Sequence, residues 1–224
     1  MKAYFWFNLY SNELKNLKIR VIIMNTTAEK YISGLKNAYL EYNADKEWEH
    51  FEKIKHGATK QDIEKLKKTY PNLPDALISL LEYVDGTYWR EYAGEKMVFY
   101  FLGSDVEEYP YYLLSSKQIL ENKNQASEYY SDYIGREYEE VEIDEKITDK
   151  PETLNWLHFS DCMNNGGTSQ LFIDFSPSEK GKIGQVVRYL HDPDEITVIA
   201  DSFEEYLKKL MDKEYDFINE DVVD

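Results

Sequence analysis

The residues best suited to bind a metal ion are concentrated in the sequence HDPDE, which begins at His191. Three carboxylates, Asp192, Asp194 and Glu195, follow this imidazole. Side chains of these types are common ligands of divalent cations. A metal-dependent hydrolase would combine His191 and Asp192 with Asp174 of a neighbouring predicted strand, and calorimetry that detects no divalent-ion binding would exclude it.

The same sequence is also typical of a tight turn between two strands. Pro193 restricts φ, and the side chain of Asp192 can hydrogen-bond to its own backbone. Because Asp-Pro-Asp between two strands is ordinary turn chemistry, we favour the turn and predict that the protein binds no metal ion.

The remaining candidates lack the spacing that catalytic or cofactor sites require. His50 and His56 do not have the i, i+4 spacing of a helical zinc pair. His158 lies in the apolar sequence WLHF, which indicates a core or edge histidine. Cys162 has no nucleophile motif around it, and the glycines of NNGGTS and GKIGQV match neither a phosphate-binding loop nor a dinucleotide-binding pattern. We therefore predict that the protein is not an enzyme, with no catalytic residues and no cofactor.

Hydrophobic periodicity predicts helices first and strands later along the chain. The predicted helices span about residues 27–42, 48–56, 60–70, 75–85, 116–133 and 203–213. The predicted strands span about residues 97–104, 111–114, 156–159, 169–175, 183–190 and 196–200. The acidic segment 137–152 is predicted to be a solvated loop or an edge hairpin. This order predicts an α+β fold, a twisted and mostly antiparallel sheet with helices packed on it, a helical N-terminal part and a closing C-terminal helix.

Composition limits the protein to a single core in a reducing compartment. The 224 residues are 42% hydrophobic and 15% aromatic, which suffices for one domain. The single cysteine excludes an internal disulfide. No stretch approaches the roughly 18 apolar residues of a membrane helix, and the aromatic N-terminus lacks a cleavage site for secretion. We therefore predict a cytoplasmic location.

The charge balance excludes two classes of partner. With 43 acidic and 26 basic residues, the chain has a formal charge of −17. Such a chain repels phosphate backbones and anionic lipids, so neither nucleic acid nor a membrane is an expected partner. The acidity either keeps the protein soluble or steers it towards a basic protein, and charge alone leaves both interpretations open.

Three strings of the sequence form an ordered series, YPNLPDALISLLEYVDGTYW, WLHFSDCMNNGG and LFIDFSPSEKGKIGQVVRYLHDPDEITVIADSFEEYLKKL. This series resembles the SUKH superfamily, in its Smi/Knr-type branch. The resemblance covers most of the chain. The signature positions, which the resemblance implies are architectural, are Leu73, Pro74, Gly86, Trp156, Asp174, Ser176, Gly184, Asp201 and Phe203.

The chain can then be divided around this domain. The segments are an atypical N-terminal stretch at 1–24, a helical extension at 25–56, the Smi/Knr-type domain at 57–212 and an acidic tail at 213–224. Two interpretations of the first segment stay open. Either translation begins at Met24, or the aromatic residues that follow Met1 pack on the core, and the intact mass of the natively expressed protein distinguishes them.

The resemblance implies a non-enzymatic domain that binds another protein. Bacterial members of the superfamily are chiefly immunity proteins of polymorphic toxin systems, and fungal relatives regulate cell-wall synthesis. We therefore expect an immunity protein that neutralises a cognate basic toxin such as a nuclease, by steric and electrostatic blocking. The alternative is a regulatory scaffold of cell-wall or signalling machinery.

Acidic residues next to tyrosines are the predicted partner-binding surface, because acids steer a basic partner and tyrosines supply contact area. The candidates are Asp105, Glu107, Glu108, Tyr109, Tyr111, Glu137, Tyr138, Glu139, Glu140 and Glu142. The alternative is that the acids are merely solvated and the tyrosines buried on the sheet. Reversing the charge of the four glutamates at 107, 108, 139 and 140 is expected to abolish protection.

Overall fold

The structure, a computed structural model, describes residues 26–106, 109–164 and 167–223, so the predictions for residues 1–24 lie outside the described residues. The expected α+β fold is confirmed. Eight α-helices occur in the described ranges. They are α1 (Thr27–Glu41), α2 (Asp45–Ile54), α3 (Lys60–Thr69), α4 (Asp75–Tyr83), α5 (Ser116–Glu121), α6 (Gln125–Tyr129), α7 (Ser131–Ile134) and α8 (Phe203–Asp212).

The strands form a small hairpin and one larger sheet. The hairpin consists of β1 (Arg90–Tyr92) and β2 (Glu95–Met97). The larger sheet contains β3 (Tyr112–Leu113), β4 (Glu142–Ile143), β5 (Trp156–Asn164), β6 (Gly167–Asp174), β7 (Gln185–Leu190) and β8 (Glu195–Ala200). Its order is β3-β5-β6-β7-β8-β4, and every pair is antiparallel except β4 with β8.

Helices cover both faces of the six-stranded sheet. Because side chains alternate between the faces of a strand, Leu171 and Ile173 of β6 join one apolar cluster and Phe172 joins the other. The larger cluster contains buried residues of α1 to α5 and α8, including Phe203. The smaller one contains Tyr130 between α6 and α7. The helices at residues 27–54 therefore share a core with the domain that follows them.

A reciprocal cap fixes the start of α1. The N–H of Glu29 donates to Thr26 Oγ1 at 3.2 Å, and Glu29 Oε2 accepts from the N–H of Thr26 at 2.9 Å. One turn into the helix, the Tyr31 hydroxyl donates to the carbonyl of Phe101 at 2.7 Å and so ties the helix to the sheet region.

The single helix predicted over residues 116–133 is wrong, since the chain there forms the three short helices α5, α6 and α7. Asn122 lies at the first break, and its side chain turns towards the sheet, with Nδ2 3.1 Å from His158 Nδ1. Asparagine competes with the helical backbone by bonding elsewhere. His158 itself is buried and lies 2.8 Å from Asp161 through Nε2, as expected for a core histidine.

Two further segments differ from the expected secondary structure. The strand predicted over 97–104 is regular only at Met97, because the N–H groups of Phe99 and Phe101 donate to Thr87 and Tyr111 in an irregular pattern. The acidic segment 137–152 contains the edge strand β4, and Ile147 behind it is buried. The segment is therefore partly anchored to the sheet.

The described part of the predicted acidic tail, residues 213–223, packs against the domain. Tyr215, Phe217 and Ile218 are buried in the larger apolar cluster. The Tyr215 hydroxyl donates to the carbonyl of Tyr31 at 2.9 Å. A Cβ at Gly103 would lie 2.3 Å from the ring of Phe217, so only glycine fits beneath this ring. Apolar residues among the acids therefore anchor this segment to the domain.

Candidate functional site

Asp105 and residues 137–142, which are parts of the two predicted acidic segments, lie towards one end of the six-stranded sheet. The turn at residues 191–194 joins β7 to β8 at this end. Because β4 runs parallel to β8 and pairs with its first residues, residues 137–141 also lie there. Asp105 reaches the same end, since its carboxylate binds Arg188 on β7. We name residues 105, 137–142 and 191–195 the acidic end.

The segment before β4 is the most accessible part of the acidic end. Glu137, Glu139, Glu140 and Glu142 are all exposed. None of the four forms a salt bridge with another described residue. Tyr138 among them is 44% exposed. Uncompensated carboxylates around an exposed tyrosine provide both charge and contact area for a partner.

An open groove separates this segment from the turn between β7 and β8. Its volume is about 590 Å³, and its lining includes Tyr138 and Glu140 on one side and Asp192 and Asp194 on the other. Residues from the two predicted motifs, the acidic segment and HDPDE, thus line a single groove. The size and charge of this groove suit a long basic side chain.

Tyrosine hydroxyls hold one carboxylate of the groove in place. Tyr133 donates to Asp194 Oδ2 at 2.5 Å, and Tyr189 donates to Asp194 Oδ1 at 2.9 Å. Burial opposes ionisation of Asp194, but these two hydrogen bonds lower its pKa overall. The bond to Asp194 raises the pKa of Tyr133 to about 12. Asp194 therefore stays ionised and fixed in direction at neutral pH.

Arg188 links the two sides of the acidic end. Its Nε and Nη2 donate to the two oxygens of Asp105 at 2.6 and 2.9 Å, and Nη2 also donates to Glu195 at 2.6 Å. The Arg188 side chain is only 4% exposed. Sequence reasoning missed this contact, although an arginine within the apolar strand QVVRYL indicates a buried charge with a partner. Asp105 is therefore largely a structural residue.

Four other predicted partner-binding residues have different outcomes. The prediction that Tyr111 lies on the partner-binding surface is wrong, because its side chain is fully buried. Tyr109 is half-buried and packs against the larger apolar cluster. Glu107 and Glu108 lie outside the described residues.

The metal site considered for HDPDE is not assembled. Asp174 ends β6 and pairs with Gln185, whereas His191 follows the opposite end of β7. His191 lies six residues along the chain from Gln185, the partner of Asp174, which corresponds to roughly 20 Å in an extended strand. The described ranges hold no cluster of three or more potential metal ligands. Residues 191–194 form a turn, as the sequence favours.

Asp174 instead organises the connection between β6 and β7. Its Oδ1 accepts from the N–H of Ser176 at 2.7 Å, and its Oδ2 accepts from Gln185 Nε2 at 2.9 Å. Burial raises the pKa of Asp174 from 3.8 to about 6, against the opposing effect of these hydrogen bonds. The signature aspartate therefore has a structural role at the end of the sheet opposite the acidic end.

This pKa predicts a measurable pH dependence. Because folding disfavours the ionised form, the contribution of Asp174 to stability is greatest below pH 3.8 and is lost as the pH rises through about 6. We expect the stability of Asp174→Asn, relative to the parent, to increase by about 2 kcal/mol across this interval. Urea denaturation of both proteins between about pH 4 and pH 7 measures it, and parallel profiles would contradict it.

Asp85 and Gly86 connect the helical part of the domain to the sheet. Asp85 Oδ1 accepts from the N–H of Ser116 at 2.7 Å, and Oδ2 accepts from Arg90 Nη2 at 3.3 Å. Gly86 has a φ of +89°, and a Cβ there would lie 2.6 Å from the backbone nitrogen of Ser115. Gly86 therefore permits close approach to α5, whereas α4 itself ends at Tyr83.

The other signature residues are also architectural. Leu73 and Trp156 are buried, Pro74 is the residue before α4, and Phe203 packs edge-to-face on Phe159 at 5.3 Å. At Gly184 the reason for glycine is the backbone conformation, since φ is +90°. Crowding is not the reason, because a Cβ there would meet nothing within 4 Å.

Ser202 and Asp201 have different roles at the start of α8. Ser202 caps the helix by accepting from the N–H of Glu205 at 3.2 Å. Asp201 binds Lys182 and Lys146 at 2.6 and 3.2 Å. Asp201 therefore ties the start of the helix to the connections before β5 and β7.

Comparison with known proteins identifies a family. A family model described as SMI1 / KNR4 family (SUKH-1) matches residues 57–209, more than half of the chain. The search of curated proteins found no match. No helix in the described part of the chain is long and apolar enough to cross a membrane.

Proposed function

The chain belongs to the SMI1 / KNR4 family (SUKH-1), and from that premise we propose that it is a cytoplasmic immunity protein that binds and neutralises a cognate protein toxin. The family includes toxin-immunity proteins and is generally non-enzymatic. The observation that carries the proposal is the acidic end, where exposed glutamates surround an open groove. The toxin is a basic protein such as a nuclease, because an enzyme that holds phosphates exposes lysine and arginine.

Inhibition follows from the shape and charge of this surface. Carboxylates at the acidic end attract the basic residues that a nuclease uses for its substrate. Asp194 is held by two hydroxyl groups, so it loses little side-chain freedom when a partner binds. An inhibitor seated on those basic residues blocks substrate by occupying its place and by cancelling the positive field. The prediction that Glu107 and Glu108 also bind the toxin is part of this proposal.

The proposal is tested by co-expression with the product of the adjacent gene. Growth rescue together with co-purification supports an immunity protein. The alternative function, a regulatory scaffold of cell-wall or signalling machinery, predicts neither growth rescue nor co-purification. A neighbouring gene that encodes a long secreted protein with a C-terminal toxin domain would argue against the scaffold. Failure of rescue and of binding with such a toxin would reject the proposed function.

Salt dependence is expected to distinguish electrostatic steering from simple contact. Raising the salt concentration from about 50 to about 500 mM should lower the association rate with the toxin by about tenfold or more, because the exposed charges are screened. Dissociation should change less, since close contacts are screened less. Stopped-flow association measures both rates. An association rate that does not depend on salt would show that the acidic end does not steer the partner.

A further inference from the structure

A second surface lies on the hairpin formed by β1 and β2. Trp89, the residue before β1, is 62% exposed and has a φ of +49°. A positive φ is unfavourable for a bulky residue, and such strain is often found at binding sites. Val98, just after β2, is 47% exposed. The hairpin therefore presents a large apolar side chain to solvent on a strained backbone.

A groove adjoins this exposed tryptophan. Its volume is about 290 Å³, and its lining combines apolar residues such as Met97, Val98 and Phe99 with the polar Glu47 and His50. Lys96 also lines the groove, and its Nζ lies 5.8 Å from the centre of the Trp89 ring. An apolar projection and a partly apolar groove thus lie next to each other at this hairpin.

The charge of this hairpin differs from that of the whole chain. Among its exposed residues Lys96 balances Glu91, whereas Arg90 is held by Asp85 at 3.3 Å and the chain as a whole carries −17. Glu91 lies directly opposite Lys96 in the strand pairing. Two copies of so acidic a protein repel each other except where both signs of charge alternate. A basic partner, in contrast, is drawn to the acidic end.

We propose that the hairpin is an interface between two copies of this chain, in which Trp89 of each copy occupies the groove beside Val98 of the other. A two-fold interface is self-complementary, so a projection and a groove on one surface are both filled at once. In the same pairing, Glu91 of one copy faces Lys96 of the second. Hot spots of such interfaces are enriched in tryptophan. This dimer is independent of the acidic end and of the function proposed for it.

The oligomeric state of the full chain tests the proposal. Sedimentation equilibrium from about 1 to about 200 μM should show a monomer–dimer equilibrium with a micromolar dissociation constant. Trp89→Ala should raise this constant by about tenfold or more. Val98→Asp, which places a charge in the groove, should do the same. Tyr129→Ala is the matched control, because Tyr129 is 67% exposed and lies on α6.

Charge reversal gives a second and more specific test. Glu91→Lys and Lys96→Glu should each prevent self-association, because each leaves like charges facing across the interface. Mixing these two variants should restore association, since the surfaces are then of opposite charge. A parent chain that is monomeric at every concentration overturns the proposal. So does a Trp89→Ala variant that dimerises like the parent, or a mixture that remains monomeric.

Discussion

The double variant Glu139→Lys/Glu140→Lys is expected to lose protection against the toxin and to bind it about a hundredfold more weakly, a loss of roughly 3 kcal/mol. Both side chains are exposed, and neither forms a salt bridge within the described residues. Their reversal should therefore leave the fold intact while it repels the basic partner. Isothermal titration calorimetry and growth rescue measure the two effects. Adding Glu107→Lys and Glu108→Lys should strengthen both.

The matched control reverses two exposed glutamates at the other end of the sheet. Glu179 lies between β6 and β7, and Glu204 lies at the start of α8. Glu179→Lys/Glu204→Lys makes the same change in net charge and should preserve protection. If both double variants protect equally well while folded, the acidic end is not the binding surface. Asp105 is omitted because its reversal would also remove one of the two carboxylates that bind the buried Arg188.

Phe217→Ala is expected to cost about 3–5 kcal/mol of unfolding free energy, as is typical for a buried phenylalanine. Phe217 is fully buried, and its ring lies against Gly103. Urea denaturation measures the loss, which should also lower the melting temperature by about 10 °C. Removing residues 213–224 should destabilise the protein further, because Tyr215 and Ile218 are lost as well.

An exposed aromatic residue provides the comparison. Tyr129→Ala should change the stability by less than about 0.5 kcal/mol, since Tyr129 is 67% exposed. If Phe217→Ala costs no more than Tyr129→Ala, the C-terminal segment does not belong to the core.

Local patterns in the sequence suffice for most of the elements. The apolar spacing of α1, α3, α4 and α8 and the alternation in β6 follow directly from the periods of helix and strand. Thr59, a good capping residue, caps α3 by accepting from the N–H of Asp62. The prediction of a single helix over residues 116–133 is wrong at Asn122. The side chain of Asn122 bonds instead to His158, which lies on a strand distant in the sequence.

Burial of individual aromatic residues depends on the tertiary structure. With twenty tyrosines, the sequence offers no signal that separates buried Tyr111 from exposed Tyr138. Tyr111 lies beside β3 inside the sheet, whereas Tyr138 precedes the edge strand β4. Likewise, Phe217 lies in an acidic stretch of the sequence, which does not indicate a buried residue. Its burial is explained by the packing of its ring against Gly103, where a side chain would not fit.

The sequence by itself determined the fold class, the family resemblance and the absence of a recognisable catalytic motif, because these depend on local periods and on short ordered strings. It also located the acidic residues that are proposed to bind a partner. Only the tertiary structure decided that residues 137–142 and the turn at 191–194 share one groove, since that depends on the parallel pairing of β4 with β8. It also decided that Asp105 pairs with Arg188, because 83 residues of chain separate them.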